Sequence, residues 1–140
     1  NEKEIIKHLR KGKRVNISGI ARELNVPIST VSDRIKRIDE KYVLKRSSLL
    51  NFPDLGYFAH ELIALKADLV QKEELLGFLR EQNCVNTIYA TNTDYSFLIE
   101  LVCRDHMELI SWLEQLKSKF QVEATSYQIL KIEEKERFVP

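Results

Sequence analysis

Cysteine is almost missing from this sequence: Cys84 and Cys103 stand alone among 140 residues. Two cysteines cannot build a disulfide scaffold, and their spacing does not offer the paired ligands of a structural zinc site. Glycine (4 residues) and proline (3 residues) are equally scarce, which excludes collagen-like repeats and linker-like material. No apolar run approaches the ~20 residues that a membrane-crossing helix requires. The stretch from Asn1 to Arg14 is studded with charge where a secretion signal would carry an apolar core. The three histidines, His8, His60 and His106, include no pair at metal-ligand spacing, and no Gly-rich phosphate loop or nucleophile elbow occurs. These absences predict a soluble cytoplasmic protein that is not an enzyme and holds neither metal nor cofactor. What is present, 44% hydrophobic and 31% charged residues, is the balance of a globular chain of one domain or two small ones.

The net charge of +1 conceals an asymmetry. From Asn1 to Asp54 there are 13 Lys and Arg against 7 Asp and Glu, a surplus of +6, and the remainder carries −5. A basic third joined to an acidic remainder suggests a polyanion-binding segment attached to something else.

Within the basic third, Ile5, Ile6 and Leu9 share one face of a helix over Glu2 to Lys11, which Gly12 is expected to stop. Asn16 reads as the N-cap of a second helix that buries Ile17, Ile20, Ala21 and Leu24. Asn25 suits the positive φ of a tight turn, and Pro27 precedes a third helix starting near Ser29 or Thr30, where Thr30-x-x-Asp33 has the form of a capping box. Val31, Ile35 and Ile38 form its apolar stripe. Two short helices across a tight turn, braced by another, are the plan of a helix-turn-helix.

The outward face of that third helix gives the reading its chemistry. Ser29, Thr30, Ser32, Asp33, Arg34 and Arg37 are candidates for base edges and adjacent phosphates in a major groove of double-stranded DNA. Lys36, with Lys45 and Arg46 at the tip of a wing opened by a strand at Tyr42-Val43-Leu44, is a candidate for phosphates alone.

The segment Asn51-Phe52-Pro53-Asp54-Leu55-Gly56 coincides with the change of charge sign. The expected organisation is a helix-turn-helix domain over 1–50, a linker over 51–57 and a second domain over 58–140. In the latter, strands are expected over Phe58 to Asp68, Val85 to Thr91, Tyr95 to Cys103 and Val122 to Glu134. Helices are expected over Lys72 to Gln82 and from the Asp105 cap to Phe120, with Leu109, Ile110, Leu113, Leu116 and Phe120 buried. The order βαββαβ is ferredoxin-like, so the fold class is α+β. The strands carry apolar residues on both faces while the helices cover one, so a second copy packed sheet to sheet is the expected cover.

The run Ile20-Ala21-Arg22-Glu23-Leu24-Asn25-Val26-Pro27-Ile28-Ser29-Thr30-Val31-Ser32-Asp33-Arg34-Ile35-Lys36-Arg37-Ile38 resembles the winged helix-turn-helix of Lrp/AsnC (feast/famine) transcription regulators. Asn51 to Gly56 is similar to the family's linker, and the second half to its sensing and assembly (RAM) domain. The resemblance implies a sequence-specific DNA-binding regulator, a homodimer through the RAM sheets with higher assembly such as an octamer, and an amino acid or other small effector. It assigns effector binding to Thr91, Asn92, Thr93, Asp94 and Tyr95, with Thr91 where the family has Gly. Two rival classes share the architecture. One is a siroheme-decarboxylase-like enzyme, against which stands an acidic second domain with only Arg80, Arg104 and Arg137. The other is a hetero-oligomeric assembly partner that reads no DNA, against which stand the cations of the third helix.

Overall fold

The computed structural model describes residues 1–11, 14–92, 94 and 96–140. The expected stop at Gly12 lies outside them. The chain divides into two compact units, Leu50–Ile132 and Asn1–Leu49, the latter joined by Glu133–Pro140. The last residues, expected with the second domain, therefore belong with the first unit.

The first unit contains α1 (Glu2–Lys11), α2 (Ile17–Leu24) and α3 (Ile28–Tyr42). Ile5, Ile20, Ala21, Val31, Ile35 and Ile38 close its core, with Ile6, Leu9, Ile17 and Leu24 packed against them. The apolar stripes drive this packing, because none of these short helices is stable alone in water. Asn16 caps α2, its Oδ1 accepting from the Gly19 N–H at 2.9 Å. Asn25 ends α2 in the left-handed region (φ 53°, ψ 47°). Its N–H donates to the Arg22 carbonyl and that of Val26 to the Ala21 carbonyl, the double closure of a Schellman turn. The turn to α3 is thus Asn25-Val26-Pro27.

Two local expectations are overturned. The helix α3 begins at Ile28 with Pro27 in the N-cap position and no side-chain cap, so Thr30 lies inside the helix and forms no capping box. The carbonyl of Pro27 accepts from the Val31 N–H at 3.2 Å, and the fixed ring φ already suits that position. No strand forms at Tyr42-Val43-Leu44 either: Tyr42 ends α3 and the residues from there to Phe58 contain only a single 3-10 turn, Pro53–Leu55. A two-stranded wing needs a second alternating run to pair with, and Lys45 to Leu50 supply none.

The second unit contains β1 (Ala59–Ala67), α4 (Lys72–Glu81), β2 (Val85–Ala90), β3 (Phe97–Cys103), α5 (His106–Lys119) and β4 (Val122–Gln128). The sheet order is β2-β3-β1-β4 with every neighbouring pair antiparallel, the ferredoxin-like arrangement. Alternation puts Ile63, Leu65, Phe97, Ile99, Leu101 and Cys103 on one face, where Leu75 and Leu79 of α4 and Leu109, Trp112 and Leu116 of α5 bury them. The stripe of α5 is rotated from expectation: Trp112 is buried while Ile110 is 43% exposed. The indole buries more surface and its Nε1 donates to Gln82 Oε1 at 3.2 Å. The strand β4 ends at Gln128 rather than Glu134, leaving Leu130 exposed.

Candidate nucleic-acid interface

Because Val31, Ile35 and Ile38 are buried, the rotation of α3 about its axis is fixed. Ser29, Asp33, Lys36 and Arg37 are exposed on the opposite side, and Thr30, Ser32 and Arg34 are half-buried on its flanks. Among the described residues none forms an ion pair with Arg34, Lys36 or Arg37. The face is mixed rather than uniformly basic, since Asp33 and Glu40 are exposed on it as well. Hydroxyls stand in the first turn and cations follow, an arrangement that offers hydrogen-bonding groups and charge to one elongated ligand.

Lys45 and Arg46 are exposed beyond the end of α3, in irregular chain and not on a wing. Arg46 Nη2 donates to Asp39 Oδ1, so this guanidinium is folded back onto α3. The carboxy-terminal end of α3 is fixed to the start of α1 by Tyr42, whose hydroxyl donates to Glu2 Oε2 at 3.2 Å. The Lys41 ammonium sits 5.0 Å from the Tyr42 ring centroid.

A second basic surface was not singled out from the sequence. His8, Lys11 and Arg14 line a shallow groove with the cap Asn16 and with Gly19 and Glu23 of α2. The His8 ring nitrogen Nε2 lies 3.4 Å from Glu23 Oε2, which leaves Lys11 and Arg14 as its cations. A Cβ at Gly19 would stand 2.7 Å from the Asn16 amide, so glycine there preserves both the cap and the groove. The Lys-Gly-Lys-Arg run at 11–14 was the available signal, and its Lys13 lies outside the described residues.

In the second unit the sheet face opposite the helices bears Leu62, Leu98 and Val102, half-buried, beside Tyr89 and Tyr127, which are 53% and 60% exposed. At its centre Glu100 is buried and accepts from Asn86 Nδ2 at 2.5 Å and Thr87 Oγ1 at 2.9 Å. His60 is its neighbour from β1. At one end of the sheet, Phe58, His60, Glu61, Asp105, His106 and Gln128 line a cleft, where His106 Nδ1 is 3.8 Å from Glu61 Oε1.

No protein-family model matches the chain. It is 28% identical over 130 residues to the HTH-type transcriptional regulator FL11 of Pyrococcus furiosus, covering 92% of this chain and 86% of that one. It is 26% identical over 130 residues to an HTH-type transcriptional regulator of Pyrococcus abyssi, covering 92% and 88%. Among solved structures it is similar to the leucine response regulatory protein LrpA of Mycobacterium tuberculosis, with a TM-score of 0.85, 20% identity, and 100% and 99% of the two chains covered. The AsnC of E. coli gives a TM-score of 0.85 at 17% identity over 99% and 96%. The chain has the Lrp/AsnC fold. A further structure of that fold, the feast or famine regulatory protein of M. tuberculosis complexed with L-methionine, gives 0.87 at 19% identity over 98% and 95%.

Of the residues assigned to an effector by resemblance to the Lrp/AsnC family, Thr91 is half-buried and Asn92 and Asp94 are exposed. Thr93 and Tyr95 lie outside the described residues. Burial pushes the Cys103 thiol up to about 12 and that of Cys84 upward as well. Among the described residues no group of three or more His, Cys, Asp or Glu could hold a metal ion, and no helix is long and apolar enough to cross a membrane.

Proposed function

We propose that this chain is a sequence-specific DNA-binding transcription regulator that works as a homodimer. The observation that carries the reading is the face of α3: a helix rotated by Val31, Ile35 and Ile38 so that hydroxyls and cations point away from the core. In this reading Ser29, Thr30, Ser32, Asp33, Arg34 and Arg37 meet base edges and nearby phosphates. Lys36, Lys45 and Arg46 meet phosphates, and Lys11 and Arg14 join them. The named relatives, HTH-type transcriptional regulators, support it.

The half-buried apolar residues of the open sheet face support a second copy as its cover, which would give the two-fold symmetry that reading two half-sites needs. Higher assembly, such as an octamer of such dimers, belongs to the same reading. A neighbour of the same fold is complexed with L-methionine, which supports a small amino-acid effector here, taken up by residues 91–95. Such a regulator acts in the cytoplasm and needs no catalytic centre.

Selection of bound duplexes from a random pool, followed by titration of the selected sequence at several salt concentrations with each amino acid, tests the reading. Tight binding of one sequence class over random duplex supports it, and equal affinity for all duplexes overturns it.

A further inference from the structure

Residues Glu133–Pro140 pack with the first unit. Arg10, in the last turn of α1, donates from Nε to the carbonyl of Phe138 and from Nη2 to the carbonyl of Glu136, both at 2.8 Å. Its Nη1 lies 3.7 Å from Glu136 Oε2. Glu136 has φ 54°, a left-handed conformation that side chains other than Gly, Asn and Asp rarely adopt. Around that turn the carbonyls of 136 and 138 reach one planar guanidinium. The donors of the guanidinium are fixed in one planar fork that serves both at once, whereas a lysine ammonium carries its three donors on one freely rotating nitrogen and does not hold that geometry. The bonds close a loop between residues 10 and 136, and Leu50–Ile132 is thereby an insertion within the first unit, leaving it after Leu49 and rejoining it at Glu133.

We propose that Glu133–Pro140 is a strap, locked by Arg10, that completes the helix-turn-helix unit and steadies α3 within it. Arg10 belongs to α1, and Ile5 of α1 shares a core with Val31, Ile35 and Ile38 of α3. The strap itself is independent of what α3 reads; its effect on DNA affinity rests on the function proposed above.

The test uses the full chain, the variant Arg10→Ala, a chain ending at Ile132, and Glu136→Gly. Hydrogen exchange without DNA comes first. In Arg10→Ala the amides of 133–140 and of α1 should exchange about three- to tenfold faster, the range expected on losing exposed charge-assisted hydrogen bonds. The truncated chain should show the same acceleration in α1, and Arg10→Ala should add nothing to it. Glu136→Gly should keep the protection, because the bonds end on main-chain carbonyls and glycine suits the turn. Unchanged exchange in Arg10→Ala, or release of the tail by Glu136→Gly, overturns the strap. Affinity for a selected duplex should then fall by a similar factor in the truncated chain, which retains Arg10 and the basic residues of α3. Loss of the strap without loss of affinity overturns its support of α3. A parent chain that binds no duplex, with exchange as expected, overturns the DNA reading and leaves the strap standing.

Discussion

The His60 ring nitrogen Nε2 lies 2.7 Å from Glu100 Oε2, with both side chains about nine-tenths buried on the sheet face turned from the helices. A carboxylate only accepts, so the imidazole nitrogen is the donor. A bulge between Val85 and Thr87 interrupts the β2 register, and Asn86 and Thr87 both donate to the other oxygen of Glu100. Phe52 stands edge-on to His60, with ring centroids 5.3 Å apart. Removing the imidazole leaves the buried carboxylate short of one donor, at a cost of about 1–3 kcal/mol. His60→Ala should therefore lower the urea midpoint while leaving the slope unchanged. An unchanged midpoint would mean that Glu100 is satisfied without the ring.

Arg34 and Arg46 should behave differently on DNA. In Arg34→Ala, removal of the guanidinium proposed to read a base should cost about 1–3 kcal/mol and relax specificity at one position. Lys36→Ala or Lys45→Ala should weaken binding evenly across sequences and flatten the salt slope by about 0.9 for each phosphate no longer neutralised. Arg46 is already bonded to Asp39, so Arg46→Ala should change the slope less than Lys45→Ala does. Anisotropy titrations on selected and random duplexes across a salt series decide this. Arg34→Ala binding both as the parent does would falsify its role as a reader.

Much of this fold was legible because periodicity reports burial. The stripe Val31, Ile35 and Ile38, the cap Asn16 and the positive φ of Asn25 are local chemistry, and each stands where the residues imply. What was illegible depended on tertiary choice. Thr30 and Asp33 have the spacing of a capping box, but Pro27 takes the N-cap position first and the helix starts earlier. Ile110 and Trp112 both fit an amphipathic α5, and the core that receives Leu109 and Leu116 takes the larger indole, whose Nε1 finds Gln82. The charged tail carries no pattern that points to Arg10, since the guanidinium bonds to its backbone carbonyls. For the site, the outward residues of α3 follow from the stripe, whereas the groove beside Lys11 and Arg14 needs the placement of α1 against α2.

Tyr127, 60% exposed on the open sheet face and opposite Leu62 in the register, probes the proposed dimer. Tyr127→Asp adds a charge where a second copy would desolvate it, while the monomer keeps it in water. Sedimentation should show a shift towards monomer with unchanged far-UV circular dichroism. A variant that assembles as the parent does places the interface elsewhere.

Cys103 links pH to stability. Burial raises its thiol from 9.0 to about 12, because the folded state disfavours the thiolate. Above pH 9 the unfolded chain releases this proton while the folded chain keeps it, so the contribution is fully present below pH 9 and is lost as pH rises towards 12. Cys84, raised in the same direction by burial, adds to that loss. Urea unfolding followed from pH 7 to pH 11 should show a midpoint that falls above pH 9, and Cys103→Ala should flatten the fall. Alkylation by iodoacetamide at pH 8 should be slow in the folded chain and rapid in urea, since the thiolate is the reacting species. Equal alkylation rates in the two states would mean that Cys103 is not held protonated by the core.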